Sequence, residues 1–111
     1  MEALKNFFEK RKEITEINVI DLFPDLIVIP SSPNIYKLNK PNNLNSIQLE
    51  FKNSGVLVIS FLDWRDDPVK TVGVSSITEF NEFHEYFDRY MTRGIRHCPP
   101  LYNDGKNNLF Q

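Results

Sequence analysis

Val56-Leu57-Val58-Ile59-Ser60-Phe61-Leu62 is the segment that most restricts how this chain can fold. Apolar side chains occupy both alternating sets of positions, so as a strand it needs shielding on both faces. A strand of that kind belongs in the middle of a sheet, with neighbours on either side. The residues after it continue the pattern. Asp63-Trp64-Arg65-Asp66-Asp67-Pro68 reads as a charged elbow, and Val69 to Val74 as the next strand. Ser76-Ile77-Thr78-Glu79 is a capping box, in which hydroxyl and carboxylate satisfy free amides of a first helical turn. From Ile77 to Arg93 the spacing predicts one helix whose Ile77, Phe80, Phe83, Phe87, Tyr90 and Met91 share an arc of about 140°, the width of a core-facing stripe. Gly94 supplies its stop.

Upstream, Glu2 to about Glu13 reads as a helix, with Ala3, Leu4, Phe7, Phe8 and Ile14 on one stripe and Arg11 snorkelling from it. No period dominates between Thr15 and Asp25. Leu26 to Ile29 predicts a short buried strand ended by Pro30 and a Ser31-Ser32-Pro33 turn; Ile35 to Leu38 predicts another. Ile47, Leu49 and Phe51 alternate with Gln48, Glu50 and Lys52, a strand with one wet face. Asn53-Ser54-Gly55 turns it into Val56 as a hairpin. Pro99-Pro100 and an Asn-Asp-Gly turn mark 95–111 as an irregular tail. The expected architecture is a single α+β domain over 1–111. Its four- or five-stranded sheet is mostly antiparallel, with an N-terminal and a C-terminal helix packed against it.

Composition narrows the function classes. The 111 residues are 41% apolar and 13% aromatic, enough for one core rather than a disordered tail. Cys98 is the only cysteine, which rules out an intramolecular disulfide and a cysteine-built metal cluster. The charged stretch Met1 to Arg11 lacks an apolar signal region, and no apolar run approaches a membrane span, so the expectation is a cytoplasmic protein without membrane contact. A net charge of −2 has the wrong sign for binding a phosphate backbone. Between positions 63 and 88 seven acids (Asp63, Asp66, Asp67, Glu79, Glu82, Glu85, Asp88) face two bases, Arg65 and Lys70, and Arg89, Arg93 and Arg96 border them.

Several patterns raise chemistry. Pro24-Asp25 followed by Glu50-Phe51-Lys52 resembles the signature of a large metal-dependent nuclease superfamily. That resemblance implies Asp25 and Glu50 as Mg²⁺ ligands and Lys52 as the catalytic cation. Asp63, Asp66 and Asp67 would suit a hard cation but lack the glycine and terminal glutamate of a calcium loop. His84 falls within the apolar arc, where a lone histidine is a core or boundary residue. His97 and Cys98 are sequence neighbours, a poor geometry for proton transfer. Trp64, the only tryptophan, sits among charges and is the strongest single-residue indication of a partner.

In size, composition and layout the chain resembles the small immunity proteins of bacterial toxin systems, those of contact-dependent growth inhibition included. The resemblance implies a non-catalytic protein without cofactor or metal that neutralises a cognate toxin by docking on it. Residue chemistry indicates the surface independently. Asp63, Trp64, Asp66 and Asp67, with Glu79, Glu82 and Glu85, would complement the cationic cleft of a nuclease toxin. Oligomeric state stays open.

Overall fold

The computed structural model describes residues 2–41 and 45–93, apart from the side chains at 84, 85 and 93. Helices α1 (Glu2–Lys10) and α2 (Glu16–Leu22) precede strands β1 (Ile27–Ser32), β2 (Ile35–Asn39), β3 (Ser46–Phe51), β4 (Leu57–Leu62) and β5 (Pro68–Val74). Helices α3 (Ile77–Glu82) and α4 (His84–Arg93) come after them. The strands form one antiparallel meander in the order β1-β2-β3-β4-β5, so the fold is α+β and Val56–Leu62 supplies an interior strand.

Register assigns each side chain to a face. Tyr36, Leu49, Ile59 and Val72 lie in one cross-strand row, with Leu38-Ile47-Phe61 and Phe51-Leu57-Val74 beside it. All ten are buried, and the helices pack over them. Phe7 of α1 meets Phe51 edge-on at 5.2 Å, while Phe61 is ringed by Tyr86, Phe87 and Tyr90 of α4 at 4.9, 5.9 and 5.2 Å. Phe23, after α2, completes the cluster against Phe80 and Phe87. The opposite face carries the rows Ile35-Glu50-Val58-Gly73 and Lys37-Gln48-Ser60-Thr71. No described helix packs there.

Four expectations need correction. Helix α1 stops at Lys10 because Arg11 adopts a left-handed φ of 55° and donates its amide to Phe7 O; Ile14 is buried from the connection to α2. The undecided stretch holds α2, capped by Thr15 and Asn18 in reciprocal side chain–backbone bonds. Strand β1 is an edge strand, largely exposed, and runs through Pro30 to Ser32. The C-terminal helix breaks at Phe83, whose amide bonds Phe80 O, a three-residue step that tightens the turn. The phase change adds Tyr86 to the buried stripe beside Phe80, Phe83, Phe87, Tyr90 and Met91. Gly94 and the tail lie outside the described residues.

Candidate binding surface

The elbow between β4 and β5 is built by its first residue. Asp63 Oδ1 accepts the amides of Arg65 at 2.8 Å and Asp67 at 3.0 Å, an Asx-type turn. Its own backbone N–H and C=O bond Asp67 O and Asp66 N, each at 2.9 Å. Asp66 takes a left-handed φ of 63°, a conformation that aspartate tolerates better than most residues. That bend sends its carboxylate to Lys37 Nζ on β2, 2.8 Å away. The elbow therefore crosses the uncovered face above β3, at the end where Ser46 and Leu62 are buried.

Trp64 stands at the outside of this frame, 64% exposed, with the Arg65 guanidinium 4.5 Å from its ring centroid. Cation–π stacking holds ring and cation together without hiding the indole. Asp67 is exposed beside them. On the same sheet face Ile27 and Ile29 of β1 are each 44% exposed, opposite Asn39 and Lys37. The result is a mixed apolar and charged surface with an exposed aromatic side chain at one end, carried by a hydrogen-bonded turn.

The acidic residues do not form a single patch. Asp63, Asp66 and Asp67 share the elbow, whereas Glu79 and Glu82 sit on α3, beyond the far end of β5. Six residue steps of strand, about 20 Å, separate the elbow from Glu79, which is held at Ser75 just past the end of β5. Glu79 is occupied locally, its Oε1 accepting the Ser75 amide and hydroxyl at 3.2 and 2.8 Å. Glu82 is exposed. Glu85 and His84 open α4, and their side chains lie outside the described residues, as do His97 and Cys98.

The three elbow aspartates do not converge on a cation either. One is spent on backbone amides and one on Lys37, and no group of three metal-binding side chains occurs among the described residues. Asp25 and Glu50 are also apart. Asp25 lines a groove of about 230 Å³ against α4, with Lys40, Phe87, Asp88 and Met91. Glu50 and Lys52 lie on the uncovered sheet face toward the opposite end of β3. A two-carboxylate metal site requires both ligands within reach of one ion, and this fold does not bring them together. The Lys37–Asp66 pair is the contact that sequence reasoning missed, since its partners are 29 positions apart (66 − 37) and no local pattern links them.

No family model, curated protein or solved structure matches this chain. No described helix is long and apolar enough to cross a membrane.

Proposed function

We propose that this chain is a non-catalytic binding protein that docks its elbow and uncovered sheet face on a partner, and that the partner is a cognate toxin. One observation carries the reading: an exposed tryptophan on a turn whose backbone is fixed by its own hydrogen bonds. A large apolar side chain held in place before binding loses little entropy on docking, and tryptophan with arginine dominates interface energetics. Asp67, exposed on the same turn as Trp64 and outside the contacts that engage Asp63 and Asp66, favours a cationic partner surface. A nuclease cleft, cationic because it binds phosphate, has that character, and occupying it would block the substrate. Cytoplasmic residence belongs to the same proposal.

Growth rescue tests this directly. A partner recovered with the tagged chain from its native host is expressed alone and together with the chain. The proposal expects arrest by the partner alone, rescue by the wild-type chain, and loss of rescue with Trp64→Ala/Asp67→Lys. A harmless partner, or full rescue by the double variant, would refute it.

A further inference from the structure

The two edges of the sheet are unequal. Phe51 donates its amide to Asn34, away from β4, which fixes the alternation of backbone groups across the meander. Leu57, Ile59 and Phe61 consequently direct their N–H and C=O groups to β5, where Val74, Val72 and Lys70 receive them. Thr71 and Gly73 then point theirs outward from the edge, and no described residue pairs with them. The next outward amide, Ser75, is taken by Glu79 Oε1 at 3.2 Å. Carrying the same alternation to the other edge places Val28 and Pro30 outward on β1. Proline has no donor, and the register shifts between Pro30 and Ser32, so β1 is blunted against further pairing. Among the described residues, edge β5 has no such guard between Thr71 and Gly73.

We infer that β5 pairs with β5 of a second copy of this chain, antiparallel about a two-fold axis through Val72. The pattern is self-complementary. Thr71 of each copy faces Gly73 of the other, and each pair exchanges N–H···O=C bonds in both directions. Small residues meet small residues on the uncovered face, and Lys70 faces Val74 rather than another Lys70. Thr71 and Gly73 also border a depression of about 360 Å³ lined by Lys52, Val56 and Val58. Dimerisation would bring the two depressions together on one continuous sheet. This inference stands independently of the toxin-binding reading.

Sedimentation velocity on the full chain, with amide hydrogen exchange at the same concentrations, tests it. Between about 10 μM and about 1 mM, the range of weak homodimers, the mass should rise from 13.0 kDa to twice that value. Thr71 and Gly73 amides should gain protection in parallel. Thr71→Pro removes the outward donor together with the Ser60–Thr71 hydroxyl contact at 3.3 Å, and should hold the chain monomeric with an unchanged circular dichroism spectrum. Should that variant unfold, the exchange data on the wild type decide alone. A monomer at the highest concentration, or a dimer in which both amides exchange freely, would overturn the inference.

Discussion

Phe61→Ala is the sharpest probe of how the helices meet the sheet. The ring is fully buried at the centre of the covered face and touches Tyr86, Phe87 and Tyr90. Removing a buried phenyl costs about 3–5 kcal/mol through lost transfer energy and the residual cavity. Three aromatic contacts, two of them edge-on, argue against the low end, and the expected loss is about 4 kcal/mol. That is a large share of the roughly 5–15 kcal/mol that holds a domain folded. With a urea m-value of about 1.5 kcal/mol/M, the midpoint should fall by about 2.7 M. Ser60, the preceding residue, faces the other way and bonds Thr71 Oγ1 at 3.3 Å. Ser60→Ala should therefore cost no more than about 1 kcal/mol. Equilibrium urea unfolding followed by far-UV circular dichroism measures both. A loss below about 1.5 kcal/mol for Phe61→Ala, or equal losses for the two neighbours, would refute the packing of α4 on β4.

Three further outcomes rest on particular contacts. Gly55 has a φ of 85°, and a Cβ there would sit 3.3 Å from Phe8 O and Arg11 Cγ; Gly55→Ala should lower stability by about 1–2 kcal/mol, and a neutral result in thermal melts would contradict the close approach of hairpin and α1. Tyr36 is pushed above the ordinary tyrosine value by burial and then by Glu16 and Glu13. The unfolded chain thus releases this phenol proton first, so the stabilisation is complete below about pH 10 and declines as pH rises beyond it. Urea melts at pH 9 and 11 should show a smaller alkaline loss for Tyr36→Phe than for wild type; equal losses would count against it. The Lys37–Asp66 bridge is partly exposed, and a double-mutant cycle should give a coupling of about 0.2–1 kcal/mol; zero coupling would mean the elbow is not tied to β2.

Much of the fold is written locally. The doubly apolar Val56–Leu62, the Ser76 N-cap and the turn at Gly55 each depend on neighbours a few residues away, and each sits where its pattern placed it. The Glu79 carboxylate, however, closes on the Ser75 amide rather than on that of Ser76, so the expected capping box is only half made. Helix α2 was harder to read because Ile17 and Ile20 are exposed, which weakens its apolar period, and because Asn18 replaces the usual Glu or Gln of a capping box. Strand β1 misleads for a different reason. Four consecutive apolar residues signal shielding on both faces, yet Ile27 and Ile29 lie on the uncovered face of an edge strand. Position along the sheet is a property of topology, which a four-residue window does not contain. The candidate surface divides in the same way. Trp64 and its acidic neighbours are adjacent in sequence and remain so in space. Their separation from Glu79 and Glu82, and the reach of Asp66 to Lys37, come from the course of β5 and the bend of the elbow.

The central claim is that Trp64 anchors a partner without supporting the fold. Calorimetric titration of the recovered partner with wild type and Trp64→Ala measures this most directly. The account predicts a loss of at least about 2 kcal/mol, roughly 30-fold in Kd, with an unchanged melting temperature. Equal affinity for the two chains would contradict it.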